Sequence, residues 1–319
     1  MSVWLSPTEI LALPASGAAF TAVKAAADSS LGTAKVSDQD SQHDVRTLAC
    51  ALVAVRQGSP TSRAKAEAAL RSVIGTEAGT RALALGRNLG AYACAADILG
   101  FREPAFVTWL GKMRTFPCTG GPGTLIKCHE QRGNNWGVMA GWSRVAIDAY
   151  LEDTADLAKA AQVWKGWFGD RTAYAGFAWG DKSWQADPLK PVGVNPAGAL
   201  KQGHPISGVL PDDQRRTGGF TWPPPCGNYV RGALGPVFCA LWTLHRNGFA
   251  DASGWSSSAA RRAAEWYVGT MGGKTACAFS GDDAWQPYLI RKLYPGIAVT
   301  GGSVSAVGKP MAWTGWTHA

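Results

Sequence analysis

The segment 128–137 concentrates polar and aromatic side chains that a plain loop would not need. It contains the adjacent pair Asn134 and Asn135, with His129 before the pair and Trp136 directly after it. An asparagine at a helix entrance is a good cap, so either amide alone has a structural explanation. Amide groups also donate hydrogen bonds to oxygens that carry or develop negative charge. The pair, with its histidine and tryptophan, therefore indicates a binding or catalytic site.

A second segment, 204–229, contains Trp222 and ends in a proline run followed by Asn228 and Tyr229. Proline restricts the backbone φ angle, so the run delivers the tyrosine to the start of the next helix with little freedom. A phenol in a fixed position can act as a general acid or base. This spacing favours a catalytic tyrosine at position 229.

The same segment begins with His204 and carries two consecutive arginines, Arg215 and Arg216. The histidine is either a turn residue before a proline or a proton-transfer group. The arginines either pair within the loop with Asp212 and Asp213 or face an anionic ligand. Both interpretations stay open from the residues alone.

The composition favours an acidic polysaccharide as the partner. The chain has 31 lysines and arginines against 23 aspartates and glutamates, a formal net charge of +8. This charge favours a polyanion. The basic residues are spread along the chain, which argues against nucleic acid. The 15 tryptophans suit a glycan cleft, because sugar rings dock their apolar faces on flat aromatic rings, although about two thirds are expected in the core.

Helical periodicity runs through most of the chain, and no alternating strand pattern competes with it. We predict helices at 7–27, 44–56, 62–74, 80–98, 136–151, 154–168, 229–247 and 256–271. The aperiodic segment 173–225 is expected to line or cover a cleft, and 281–288 is interpreted as a surface turn. Short loops alternating with long ones predict an all-α fold of the (α/α) toroid type, an incomplete barrel of antiparallel helix pairs with long cleft-lining loops. No change in composition divides the chain, so we predict one domain over 1–319.

Several features are expected to be absent. The longest apolar stretches are much shorter than the roughly 20 residues that span a bilayer, so we expect no membrane partner. The first residues do not resemble a signal peptide, which predicts a cytoplasmic location or a non-Sec route such as a phage particle. Cys118 and Cys128 bracket a glycine-rich loop and are candidates for a local disulfide. No metal-ligand spacing is present, so no metal or other cofactor is expected.

Three motifs in this order resemble the alginate-lyase-like domain of polysaccharide lyases. They are Arg87-Asn88-Leu89 with Ala91-Tyr92, then Asn134-Asn135-Trp136, then Asn228-Tyr229 with Arg231, and together they cover most of 38–247. In that family, paired asparagines, a histidine and an arginine neutralise a uronate carboxylate, and a tyrosine abstracts and returns protons. The resemblance implies an (α/α) toroid that cleaves a 4-linked uronic-acid polysaccharide by β-elimination.

The chain departs from the family pattern at two positions. Trp136 stands where the family has its histidine, so His204 or His129 must supply that role. Phe238 stands where the family has its catalytic tyrosine, so Tyr229 is the expected substitute. These departures leave the exact uronate undetermined.

The resemblance assigns roles to the candidate residues. Asn134, Asn135 and Arg216 are expected to neutralise the carboxylate, because the C5 proton is otherwise too weakly acidic. Tyr229 is expected to be the base, with His204 as its partner or as the base itself. The residues expected to bind substrate are His129, Arg87, Tyr92, Trp136, Arg215, Trp222 and Arg231, the last also an alternative to Arg216.

Two other classes of protein compete with a lyase. A glycoside hydrolase on an α/α barrel needs two carboxylates beside the scissile bond, which Asp212 or Asp213 with Glu130 or Asp283 would supply. The paired asparagines and the basic charge argue against it. A non-catalytic glycan-binding or virion domain would keep the toroid without the chemistry, and the missing family histidine favours it.

Overall fold

The computed structural model describes residues 2–305 and 307–319, so positions 1 and 306 of the predicted domain lie outside the described residues. Helices dominate this part of the chain, which confirms the all-α prediction. In chain order they are α1 (Pro7–Ala12), α2 (Ala18–Asp28), α3 (His43–Gln57), α4 (Pro60–Ser72), α5 (Ala82–Leu99), α6 (Pro104–Met113), α7 (Leu125–Gln131), α8 (Asn135–Leu151), α9 (Thr154–Phe168), α10 (Pro211–Gln214), α11 (Asn228–Arg246), α12 (Trp255–Val268), α13 (Gln286–Leu293) and α14 (Thr314–Thr317). The strands β1 (Leu200–Lys201) and β2 (His204–Pro205) pair antiparallel.

Four long helices carry most of the buried residues that lie in helices: α3, α5, α8 and α11. They pack side by side in that order, while α2, α9 and α12 each pack against one of them and α4 packs against both α3 and α5. Small residues allow the close packing of α5 on α8. A Cβ at Gly86 would lie 2.7 Å from the backbone nitrogen of Ala140, so a larger residue there would push the two helices apart.

The local signals for the first helix are present in the structure. The Ser6 side chain accepts from the Glu9 backbone N–H, and the Glu9 carboxylate accepts in return from the Ser6 backbone N–H at 2.7 Å. This capping box starts α1 as predicted. The predicted helix over 7–27 is wrong in extent, because Pro14 and the positive φ of Gly17 separate α1 from α2.

Tryptophan side chains attach the first and last residues of the sequence to the core helices. Trp242 Nε1 donates to the carbonyl of Trp4 at 2.8 Å, and Trp313 Nε1 donates to the carbonyl of Val45 at 2.8 Å. Eleven of the 15 tryptophans are buried, as expected for about two thirds of them. Most of this aromatic composition therefore stabilises the helical core.

Part of the aperiodic segment 173–225 belongs to a second, small hydrophobic cluster. Trp184, Ile206 and Val209 from this segment pack with Trp266 of α12. Helices α6, α7, α10, α13 and α14 were not predicted, since each is 10 residues or shorter and offers few turns over which apolar spacing can repeat. None of the helices in the described part of the chain is long and apolar enough to cross a membrane.

The predicted disulfide is wrong. Cys118 and Cys128 are free thiols, and Cys226 is joined instead to Cys277. Cys128 lies within the short helix α7, where it is buried in the core. The disulfide that does form cross-links the segment before α11 to the segment after α12. It therefore fixes these two segments relative to each other.

Candidate functional site

A cleft of about 500 Å³ opens where the first turns of α5, α8 and α11 meet. The amino-terminal end of a helix carries a partial positive charge and free backbone N–H groups. Three helices that direct this end to one cleft favour an anion there. Six of the candidate residues line it: Arg87, Asn135, Trp136, Arg216, Tyr229 and Arg231.

The cleft lining is rich in cations. Two of its members are carboxylates, Asp282 and Asp283, and both belong to the segment interpreted as a surface turn. Its five cations are Arg81, Arg87, Arg216, Arg231 and Lys309. The excess of positive charge favours binding of a polyanion.

Tyr229 is the second residue of α11, and Arg216 covers it. The guanidinium carbon of Arg216 lies 4.1 Å from the centre of the phenol ring, and its Nη2 donates to Tyr229 Oη at 3.0 Å. The ring is half-buried and the arginine is exposed to the cleft. A cation in this position stabilises negative charge that develops on the phenol oxygen. The pair is thus arranged for proton transfer.

The paired asparagines have different environments. Asn134 is the N-cap of α8, and its Oδ1 accepts from the backbone N–H of Trp136 at 3.2 Å. This is the structural explanation that the sequence left open. Asn135 begins the helix and its side chain lines the cleft, while its backbone N–H donates to Asp213 Oδ1 at 2.9 Å. Of the two, Asn135 is the one placed to contact a ligand.

Arg231 is held by partners on the loop opposite α11. Its Nε donates to Asp283 Oδ2 and its Nη1 donates to Ser280 Oγ, both at 2.8 Å. Gln286 Nε2 donates to the other carboxylate oxygen of Asp283 at 2.7 Å. Burial raises the pKa of Asp283 to about 6, although the Arg231 guanidinium opposes the shift. Asp283 therefore changes charge near neutral pH.

Lys309 forms the floor of the cleft within a buried polar network. Its Nζ donates to both carboxylate oxygens of Asp44 at 2.6 Å and also to Asn88 Oδ1. Beside this network, His43 Nδ1 lies 2.7 Å from the hydroxyl oxygen of Tyr92. Burial, with the charge of Lys309, lowers the pKa of His43 to about 4. The histidine is therefore neutral at physiological pH.

Binding of an acidic oligosaccharide, used as a polyanionic probe of the cleft, is expected to weaken as the pH rises through about 6. Below this pH the Asp283 carboxyl is protonated, which removes one negative charge from the cleft and frees Arg231 for the ligand. Above it, the carboxylate competes for the same guanidinium. The expected loss is roughly fivefold in affinity, or about 1 kcal/mol.

Calorimetric titration between pH 5 and pH 8 measures this effect. Asp283→Asn is the control, because it keeps the shape of the side chain and removes the ionisation. The variant should bind with nearly constant affinity over this range. No histidine of the described residues lines the cleft to add a titration of its own. A wild-type affinity that stays constant over the range would contradict this prediction.

His204 and Trp222 lie together outside the cleft. Their rings are stacked 4.7 Å apart and nearly parallel, and Trp222 Nε1 donates to the carbonyl of Gly272 at 2.8 Å. They pack with the small cluster of the segment 173–225 rather than with α8 or α11. Neither His204 nor Trp222 lines the cleft that Tyr229 lines.

Three further candidates also fail to reach the cleft. His129 is buried on α7 with its ring 5.3 Å from that of Trp164, and burial lowers its pKa well below the usual value. Tyr92 is buried beneath the cleft in its contact with His43. Arg215 forms an ion pair with Asp212, as one of the two sequence interpretations held. These side chains are structural.

Two of the five cations of the cleft, Lys309 and Arg81, were not predicted from the sequence, for different reasons. Lys309 meets Asp44 across 265 positions of sequence, and no local pattern predicts such a contact. Arg81 occupies the N-cap position of α5 and was predicted as part of a helix. Its place directly before the apolar run 82–85 is the signal that would have placed it at a helix entrance.

The described residues contain no group of three or more His, Cys, Asp or Glu side chains arranged to hold a metal ion. Comparison with known proteins does not assign this chain to a family. No protein-family model matches the sequence, and a search of curated proteins found no match. The resemblance to the alginate-lyase-like domain therefore rests on the motifs alone.

Proposed function

We propose that the protein is a polysaccharide lyase that cleaves a 4-linked uronic-acid-containing polysaccharide by β-elimination in this cleft. The observation that carries the proposal is the convergence of Asn135, Arg216 and Tyr229 on one cationic cleft. Amide and guanidinium donors suit a carboxylate, and a phenol beside a guanidinium suits proton transfer. An acidic polysaccharide is the proposed partner.

In the proposed reaction, the carboxylate of one uronate lies between Asn135 and the guanidinium groups of the cleft. Neutralising this carboxylate stabilises the enolate-like intermediate that forms when the C5 proton leaves. Tyr229, as the phenolate, takes the C5 proton. The C4–O4 bond then breaks, a double bond forms between C4 and C5, and the leaving oxygen receives a proton from the tyrosine. No water is added to the products.

The other cleft residues are assigned to substrate binding. Arg87 and Arg231 lie on the walls formed by α5 and α11, where they pair with carboxylates of neighbouring sugar units. The half-buried ring of Trp136 offers a flat surface to a sugar ring. These contacts hold the polymer along the cleft while one uronate reacts.

The helix arrangement supports a toroid of the (α/α) type. The neighbouring helices α3, α5, α8 and α11 would form the inner layer, since residues from their first turns or their N-caps meet at the cleft and its floor. The helices α2, α4, α9 and α12 would form the outer layer. The segment 307–319 contacts both α3, through Lys309 and Asp44, and α11, through His318 and Trp242, which would suit an incomplete barrel.

The positions of the carboxylates favour a lyase over a glycoside hydrolase. Of the four acids that would serve it, only Asp283 lines the cleft, and it is bonded to Arg231. Asp212 pairs with Arg215, and Asp213 is buried behind Asn135. Asp282, the other carboxylate that lines the cleft, is the sequence neighbour of Asp283 in the turn 281–283. Hydrolysis requires two carboxylates that flank the scissile bond.

Mass spectrometry of the products tests the proposed reaction. The purified protein is incubated with acidic polysaccharides, and the oligosaccharides are weighed. Elimination gives a new non-reducing end that is lighter by one water than the product of hydrolysis. Unsaturated fragments are the expected result. Fragments that have gained water would support the hydrolase, and tight binding without any fragment would support a binding domain.

A further inference from the structure

Asp213 is a buried carboxyl directly behind the proposed site. It lies on α10 and is 1% exposed. Its Oδ1 accepts from the backbone N–H of Asn135 at 2.9 Å, at the start of α8. Its Oδ2 is buried and has no hydrogen-bond partner among the described residues. Half of this carboxyl is therefore unsatisfied.

Asn135 carries the matching unsatisfied atom. Its side-chain Oδ1 is also buried and has no partner in the described part of the chain. A buried acceptor without a donor costs about 1–3 kcal/mol, so two of them in residues already joined by a hydrogen bond call for a missing donor. An ionised carboxylate offers only acceptors. A protonated carboxyl keeps one acceptor and gains an O–H donor.

The charges around Asp213 are consistent with a proton on it. Arg215 is bonded to Asp212, and Arg216 is bonded to Tyr229 of α11. The facing turn of α8 presents uncharged asparagines. Burial raises the pKa of Asp213 well above its usual value and Asp212 adds to the shift, while the Asn135 N–H and the two arginines oppose it.

We propose that Asp213 is protonated in the folded protein and donates its carboxyl O–H to Asn135 Oδ1. One hydrogen bond then satisfies both buried oxygens. It also fixes the rotation of the Asn135 amide, so that Nδ2 is the atom directed into the cleft. Asp213 is a positioning residue in this scheme, and only its effect on turnover depends on the proposed lyase function.

The variant Asp213→Asn tests the proton directly, because a carboxamide carries one acceptor and one donor, as a protonated carboxyl does. Asp213→Ala removes both groups. If the proposal holds, Asp213→Asn keeps kcat within about threefold of wild type. Asp213→Ala lowers kcat by roughly 10- to 100-fold with a smaller change in KM, as Asn135→Ala does.

Thermal unfolding from pH 5 to pH 8 gives a readout that needs no substrate. A carboxyl that holds its proton only in the folded state loses stability as the pH rises above the ordinary range of an aspartate. The Tm of Asp213→Asn should therefore rise relative to wild type as the pH increases. A constant Tm difference over this range would overturn the proposal, even if no substrate is found.

Turnover supplies the second way to overturn it. If Asp213→Asn is as impaired as Asp213→Ala while the protein stays folded, Asp213 is an ionised acceptor for the Asn135 amide. If the Tm difference follows the expected pH trend and elimination is never observed, the proton on Asp213 stands and the lyase function fails. The two results are thus separable.

Discussion

Replacement of Tyr229 with phenylalanine is expected to lower kcat for elimination by roughly 10³-fold or more, in the range that general acid and base groups contribute. The phenol oxygen is the only atom lost, and in the proposed reaction it takes the C5 proton and returns it to the leaving oxygen. The affinity for an acidic oligosaccharide should change by no more than about threefold, because the cations of the cleft remain. Initial rates and a binding titration on the same preparation measure both quantities.

The structure provides a matched control for this variant. Tyr174 donates from its hydroxyl to the carbonyl of Glu130 at 2.8 Å and does not line the cleft. Tyr174→Phe should leave kcat unchanged. Arg216 can still stack on the ring of the Tyr229→Phe variant, so its Tm should stay near that of wild type. A Tyr229→Phe enzyme with wild-type kcat would exclude this phenol as the proton carrier.

Replacement of Lys309 with methionine is expected to destabilise the fold by about 3–5 kcal/mol. The side chains of Lys309 and Asp44 are 2% and 1% exposed, and their atoms meet at 2.6 Å. Removing the lysine leaves the Asp44 carboxylate buried without a counter-charge. The Asn88 oxygen loses its donor as well. Urea unfolding at neutral pH measures the loss.

Two variants control for the change of a lysine to methionine. Lys24 forms an exposed ion pair with Asp28 at 2.6 Å, so Lys24→Met should cost less than about 1 kcal/mol. The double variant Lys309→Met with Asp44→Asn should be more stable than Lys309→Met alone, because no unpaired charge remains. A cost below about 1 kcal/mol for Lys309→Met would show that the pair does not hold the segment 307–319 in place.

Local signals in the sequence predicted the long helices and part of the site. The helices α3, α5, α8, α9 and α11 follow from apolar spacing, and the cap at Asn134 follows from its position before α8. The proline run before α11 correctly indicated that Tyr229 stands at a helix start. Such predictions succeed because the residues that decide them are neighbours in sequence.

Contacts between distant segments account for what the sequence did not predict. The pairing of Cys226 with Cys277 and of Lys309 with Asp44 depends on how helices pack, which no spacing within one segment reveals. His204 was a candidate because of its chemistry, yet its ring stacks on Trp222, which packs against the small cluster of Trp184, Ile206, Val209 and Trp266. Chemistry-bearing residues on long loops are the least predictable, because their direction depends on packing rather than on helical period.

The most direct test of the central claim is the ultraviolet absorbance of the unsaturated uronate during incubation with a panel of acidic polysaccharides. The panel contains alginate, glucuronan, hyaluronan, chondroitin, heparosan and bacterial capsules, and each is measured with the wild type and with Asn135→Ala. We expect a steady rise with at least one polymer that is lost or greatly slowed in the variant. New reducing ends without any rise in absorbance, or a rise that Asn135→Ala leaves unchanged, would contradict β-elimination in this cleft.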